Sequence, residues 1–260
     1  MKAILTIAGS DSSGGAGVQA DIKTITAHAL YAESAVTALT AQNTQGVAAV
    51  LPTPPDFLEQ QLECIFTDIP PDAVKIGMLP GIGQMAAVRH ALQKFRPPNI
   101  VLDTILLSTS GTHLMDPQAL SYFKAHIIPL ADVCTPNLPE AEFLLHTKIK
   151  TRQERVAAAR QFALQYKSAV YLKGGHDAVS ADDLLYSQGV PLWIPGERIS
   201  NPNTHGTGCT LSSAIACGLA CGLSLEESAR KAKEYIAGAI ADGLDLGRGN
   251  GPLNHMYRIK

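Results

Sequence analysis

Between Asn203 and Ser213 the chain reads Asn-Thr-His-Gly-Thr-Gly-Cys-Thr-Leu-Ser-Ser. Two glycines bracket Thr207, Cys209 follows, and a run of small apolar residues begins. Such a pattern turns a chain tightly into a buried helix whose first amides lack intrahelical acceptors. Those amides, with the positive end of the helix dipole, make an anion site. Gly206, Thr207 and Gly208 are therefore the candidate phosphate cradle. Cys209 falls in the first turn, where the same field is expected to lower a thiol pKa. A phosphate cradle beside an activatable side chain suggests phosphoryl transfer. The plainer alternative is an ordinary loop followed by a small core cysteine.

Other segments offer complementary groups. Gly9-Ser10-Asp11-Ser12-Ser13-Gly14-Gly15-Ala16-Gly17 leads into a helix carrying Gln19 and Asp21. Its glycines let the backbone approach a ligand, although the spacing fits neither a dinucleotide fingerprint nor a Walker loop. Gln42, within Thr40-Ala41-Gln42-Asn43, offers an amide donor and acceptor, which suits a ring with an amino group beside a ring nitrogen. Met78, in Lys75-Ile76-Gly77-Met78-Leu79, reads as a soft pocket wall or as plain core. Asp103, Asn137, Glu140 and Lys173 form the charged set. Asn137 and Glu140 open a helix and could serve magnesium through water, or could be an N-cap and its capping-box partner. Lys173, in Lys173-Gly174-Gly175-His176, is placed to touch a phosphate oxygen or to sit solvated before a turn.

The elements that must position these groups alternate along the chain. Strands are expected at Ala3 to Ala8, Ser34 to Gln42, Ala73 to Ile76, Ile100 to Asp103, Val133 to Thr135 and Ala169 to Leu172. Helices are expected near 17–29, 55–66, 81–95, 116–125, 138–145 and 151–166. Apolar strands interleaved with helices imply a mostly parallel sheet covered on both faces, with ligands beyond the carboxyl ends of its strands. Residues 182–200 read as an antiparallel edge hairpin turning at Gln188-Gly189, and two long helices follow near 208–222 and 225–243. Composition shows no break, so residues 1–260 are expected to form one domain.

Bulk properties narrow the class. The formal charge is −2 with no basic block, which argues against nucleic acid or an anionic membrane as partner. No apolar run reaches membrane-spanning length. The cysteines are Cys64, Cys134, Cys209, Cys217 and Cys221, an odd set without zinc or disulfide spacing, as suits a reducing cytoplasm.

Taken in order, "LTIAGSDSSGGAGVQADIKT", "TALTAQNTQGV", "KIGML", "VLD", "TPNLPEAEFL", "KGGH" and "NTHGTGCTLSSAIA" resemble the hydroxymethylpyrimidine/phosphomethylpyrimidine kinases of thiamine biosynthesis, within the ribokinase-like superfamily. The resemblance runs from about Ile4 to Gly251, and its middle segments are shared with pyridoxal kinases. It implies an α/β fold, a three-layer α/β/α sandwich. It also implies ATP as co-substrate, Mg²⁺, an aminopyrimidine substrate phosphorylated twice, and a homodimer. Pyridoxal kinase is the alternative activity. By the same resemblance Gln42 binds the pyrimidine, with Gly9, Ala16, Asp21 and Met78 around it. Gly206, Thr207, Gly208 and Cys209 form the anion hole, with Cys209 as candidate base. Asn137 and Glu140 belong to the magnesium and phosphate site, and Lys173, Asn137 and Asp103 to the nucleotide. The chain departs from the family wording at Ser12, at Asp103-Thr104-Ile105-Leu106 and at Thr109-Ser110-Gly111.

Overall fold

Strand β1 (Ala3–Ala8) is buried at every position, so it must lie inside a sheet covered on both faces. The computed structural model describes residues 1–105, 117–175 and 181–259. After β1 come α1 (Gly17–Ala27), β2 (Tyr31–Val36), β3 (Ala38–Asn43), β4 (Gly46–Pro52), α2 (Pro55–Asp68), β5 (Ala73–Ile76) and α3 (Ile82–Phe95). The chain continues through β6 (Ile100–Leu102), the single turn α4 (Leu120–Tyr122), β7 (Val133–Cys134), α5 (Leu138–Leu145), α6 (Arg152–Tyr166) and β8 (Ala169–Leu172). It ends with β9 (Asp183–Ser187), β10 (Val190–Ile194), α7 (Thr207–Ala220) and α8 (Leu225–Asp242).

The main sheet runs β10-β9-β8-β7-β6-β5-β1-β2. Its pairs from β2 to β8 are parallel, and β9 and β10 add an antiparallel edge. Successive strand residues point to opposite layers. Leu5, Ile7, Val74 and Ile76 pack with Leu58, Met85, Leu144 and Phe162 from α2, α3, α5 and α6. Ile4, Ala73 and Val101 pack with Ile25, Ile215 and Ile236 from α1, α7 and α8. This is the expected three-layer sandwich. The β9–β10 turn holds Gln188 and Gly189 at φ of 52° and 83°, the paired positive values that a two-residue hairpin turn requires.

Two expectations are corrected. The run Ser34 to Gln42 is not one strand: the chain leaves the main sheet at Thr37, whose amide donates to the Ala8 carbonyl at 3.0 Å. The Thr37 hydroxyl donates to the Met78 carbonyl at 2.6 Å, pinning the bend. Beyond it β3 pairs antiparallel with β4 as a separate two-stranded sheet, which carries Gln42 away from β2. The helix expected near 116–125 is the single turn α4 running into irregular helical turns up to Leu130, where Pro129 interrupts the hydrogen-bond ladder.

Strand β2 at the sheet edge buries Glu33, whose Oε2 accepts no hydrogen bond among the described residues. Burial, assisted by the nearby Asp68 carboxylate, pushes its carboxyl up to about 7. In the unfolded chain Glu33 ionises first, so folding stability falls as pH rises from about 4.5 to about 7. Glu33→Gln is expected to melt about 2–4 °C above the parent at pH 8 and level with it at pH 5. An equal Tm difference at both pH values in a thermal melt contradicts this.

Candidate active site

The site sits beyond the carboxyl ends of β1, β5, β6 and β8, where α7 begins. Gly206 caps α7 at φ 85°, and a Cβ there would overlap the Gly15 carbonyl oxygen. Only glycine allows this close approach, which fixes the first loop against the helix start. The Thr207 amide donates to Thr204 and that of Thr210 to Gly206. The amides of Gly208 and Cys209 find no backbone acceptor among the described residues. They are the free donors of the expected anion hole.

Beneath that hole lies a buried ion pair. Lys75, in mid-strand on β5, and Asp21, on α1, are each 0% exposed. The Lys75 ammonium donates to both Asp21 oxygens, at 2.9 and 2.8 Å. Thr6 and Ser213 donate to the same carboxylate at 2.6 and 2.8 Å. Burial alone would discharge Lys75, but the charges of Asp21, Cys209 and Asp103 outweigh it and hold the ammonium above its ordinary pKa. Gly77 leaves room for it, since a Cβ there would stand 2.9 Å from Lys75 Nζ. Asp21 is thus committed to protein partners below the ligand-facing surface.

Cys209 is 6% exposed in the first turn of α7. The expected lowering of its thiol pKa is not found. Burial pushes the thiol up to about 11, with Asp21 and Asp103 adding to it, against the pull of Lys75 and the Gly17 amide. The helix field is present, but desolvation is larger.

Asp103, Glu140 and Lys173 converge beside Gly208. Lys173 Nζ donates to Asp103 Oδ1 at 3.0 Å and lies 3.9 Å from Glu140 Oε2. A Cβ on Gly208 would stand 3.2 Å from Asp103 Oδ2 and 3.3 Å from Lys173 Nζ. Burial would lower the Lys173 pKa, but Asp103 and Glu140 outweigh it and keep it raised. Burial pushes Glu140 up in turn, with Lys173 pulling against it and Asp103 adding to it. Asn137 and Glu140 form a full capping box at 2.8 Å in each direction. That box commits Asn137 Oδ1 to the helix start and aims Glu140 at Lys173. Among the described residues no three metal-ligating side chains cluster. The buried Oδ2 of Asp103 has no hydrogen-bond partner there either. Two carboxylates with an unsatisfied oxygen suit a hard cation that takes its other ligands from phosphates and water.

On the opposite side, Gln42 is tied into the first loop. Its main-chain N–H donates to Ser12 Oγ at 2.8 Å, and that hydroxyl donates to the Gln42 main-chain carbonyl at 2.7 Å. Ser12, where the chain departs from the family wording, therefore joins the hairpin to the loop. Met78 packs on Gly9, where a Cβ would come within 2.9 Å of the thioether sulfur. Ala16 precedes α1 and donates its amide to Asp11 at 2.8 Å. Asp11 also accepts from Ser13 and, at 2.7 Å, from His205 Nε2. Burial alone would raise the Asp11 pKa, but the bonds from His205 and Ser13 hold it down at about 2.

The structure therefore brings Gly9, Ala16, Gln42, Met78, Asp103, Asn137, Glu140, Lys173 and the Gly206–Cys209 turn to one end of the sheet, with Asp21 beneath that turn. His176 and the Thr109-Ser110-Gly111 loop lie outside the described residues. Sequence reasoning missed Lys75, Asp11 and His205. A lysine inside an otherwise apolar strand was the available signal for Lys75, because a fully buried lysine needs a partner.

Comparison with known proteins agrees with this geometry. Residues 11–254 match the phosphomethylpyrimidine kinase family. The thiamine biosynthesis bifunctional protein of Geobacter sulfurreducens is 44% identical over 97% of this chain, which spans 52% of that protein's length. The hydroxymethylpyrimidine/phosphomethylpyrimidine kinase of Escherichia coli is 41% identical over 97% of each chain. Among solved structures, an ADP complex of Bacillus subtilis pyridoxal kinase superposes with a TM-score of 0.92 at 33% identity, over 100% of both chains.

Proposed function

The chain belongs to the phosphomethylpyrimidine kinase family, and from that premise we propose that it phosphorylates hydroxymethylpyrimidine with ATP, then the monophosphate to the diphosphate, for thiamine diphosphate synthesis. The observation that carries this reading is the helix start at Gly206–Cys209, flanked by Lys173 and Asp103 on one side and Gln42 on the other. One flank is equipped for polyphosphate and the other for an aminopyrimidine. Phosphoryl transfer is governed by positioning and charge neutralisation, which these groups supply.

The roles follow from placement. The Gly208 and Cys209 amides bind the oxygens of the transferring phosphoryl group. Lys173 lies against the nucleotide phosphates. Asp103 and Glu140 would hold Mg²⁺, which when bound with ATP neutralises phosphate charge, and Asn137 steadies Glu140 as its cap. Gln42 takes the amino group and ring nitrogen, with Met78, Gly9 and Ala16 shaping the pocket. The thiolate form of Cys209 accepts the hydroxymethyl proton as the hydroxymethyl oxygen attacks phosphorus. Residues 1–260 act as one catalytic unit, suited by its free cysteines to the cytoplasm. Among the described residues no helix is long and apolar enough to cross a membrane. Leu39 and Leu51 are exposed on the β3–β4 sheet and offer a second copy an apolar face, a homodimer that sedimentation tests.

Pyridoxal kinase is the second reading, favoured by the backbone likeness to the Bacillus enzyme. ATP turnover with Mg²⁺, offering hydroxymethylpyrimidine, its monophosphate and pyridoxal in parallel, decides between them. Monophosphate followed by diphosphate is the expected product series; pyridoxal phosphate as the sole product refutes it.

A further inference from the structure

Strand β9 opens on Asp183, which is buried. It shares a strand face with Leu185, which packs with Tyr171 in the α7–α8 layer. Three donors converge on the Asp183 carboxylate. Oδ2 accepts from the Tyr171 hydroxyl at 2.6 Å and pairs with the Lys233 ammonium of α8 at 2.7 Å. Oδ1 accepts from the Gly174 amide at 2.5 Å. Burial and the Asp183 charge hold the Tyr171 phenol well above its ordinary pKa, so it stays a donor. Gly174 directly follows Lys173.

Strands β8 and β9 pair only as far as Leu172 and Leu184. Continued by two residues, the antiparallel ladder would set Gly174 opposite Asp182. Instead the Gly174 amide turns to a side chain on the α8 side of the sheet. There the chain runs so close to β9 that a Cβ on Gly174 would overlap the Asp182 carbonyl oxygen. Lys233 pins the returning chain as well, donating to the Ala181 carbonyl at 2.8 Å. The Lys173 backbone is thereby held on both sides. Its own amide donates to the Pro136 carbonyl at 2.9 Å, and the next amide donates to Asp183.

We infer that Asp183 sets the direction in which the chain leaves β8 and so presents Lys173 to the nucleotide phosphates. Asp183 is a positioning residue, and the inference rests on the role proposed for Lys173. The Lys173 ammonium is held at its far end by Asp103 at 3.0 Å. With its backbone fixed at Gly174, the side chain spans two set points and has little rotamer freedom left to lose when phosphate binds. A bond from an amide to a buried carboxylate is strong enough to impose that geometry.

The test reads nucleotide affinity on the full chain by calorimetry, with AMP-PCP and Mg²⁺. Asp183→Ala removes the acceptor and is expected to raise the AMP-PCP Kd about tenfold. The hydroxymethylpyrimidine KM should stay within about threefold of the parent. Tyr171→Phe takes a donor from Oδ2 but spares the Gly174 bond, so it should melt lower and still bind AMP-PCP as the parent does. In a Lys173→Met background Asp183→Ala should change Kd no further. If Asp183→Ala does not fold, Asp183→Ala/Lys233→Met, which removes both charges, makes the same comparison. In the parent, hydrogen exchange read by NMR should find the Gly174 amide protected. A Kd that tracks Tm in both single variants, a full effect in the Lys173→Met background, or an unprotected Gly174 amide overturns the inference. A parent chain that binds no AMP-PCP overturns the proposed function instead, and exchange at Gly174 still decides the Asp183 contact.

Discussion

A Lys75→Met variant is expected to lose about 3–5 kcal/mol of folding stability, because it leaves the Asp21 carboxylate buried without its counter-charge. The two side chains are 0% exposed and joined at 2.8 Å, so no water is at hand to replace the ammonium. Thr6 and Ser213 still donate to Asp21, but two neutral donors do not offset a desolvated negative charge. Chemical denaturation should show the loss as a shift in midpoint at unchanged slope. The companion Lys75→Met/Asp21→Asn should recover a substantial part of it, since the double change removes both charges and leaves a neutral amide for Thr6 and Ser213. A single variant as stable as the parent, or a double variant no better than the single, refutes the account. The pair also reaches the chemistry. Ser213 lies one turn beyond Cys209 on α7 and is bonded to Asp21, so losing the pair loosens the helix that carries the anion hole.

The catalytic side of this fold is legible in the sequence wherever a strand end and its following loop carry the signal together. Ala3 to Ala8, Ala73 to Ile76 and Ala169 to Leu172 are bounded as expected, because apolar runs there stop at Gly9, Gly77 and Lys173-Gly174. The Asn137–Glu140 spacing announces a capping box, and the structure forms it. What the sequence hides is pairing between distant residues. Asp11 meets His205 only when the first loop packs against the start of α7, and Asp21 meets Lys75 only when α1 packs on β5. The bend at Thr37 is hidden for a related reason. Alternation of apolar residues continues across it, and the bonds to Ala8 and Met78 that make the turn are tertiary. At Cys209 the sequence discloses both the helix start, which lowers a thiol pKa, and a buried alternative, but not that desolvation outweighs the helix field.

That burial makes the role of Cys209 measurable. A thiol at about 11 is almost wholly protonated at neutral pH, and a γ-phosphate bound at the helix start would favour the proton still more. If the thiolate takes the hydroxymethyl proton, the reactive form is scarce at pH 7 and grows about tenfold per pH unit. The parent kcat for hydroxymethylpyrimidine is therefore expected to climb with near-unit slope from pH 7 to pH 9 at saturating ATP and Mg²⁺. Cys209→Ser should lower kcat by about 10²–10⁴ at pH 8 and flatten the profile, since a serine hydroxyl does not ionise in that range. The pyrimidine KM should change little, because Gln42 lies on the other side of the helix start. A flat parent profile, or a serine variant within a few-fold of the parent kcat, removes the base. Catalysis would then rest on the Gly208 and Cys209 amides with Lys173, which hold the phosphoryl group whatever side chain stands at position 209.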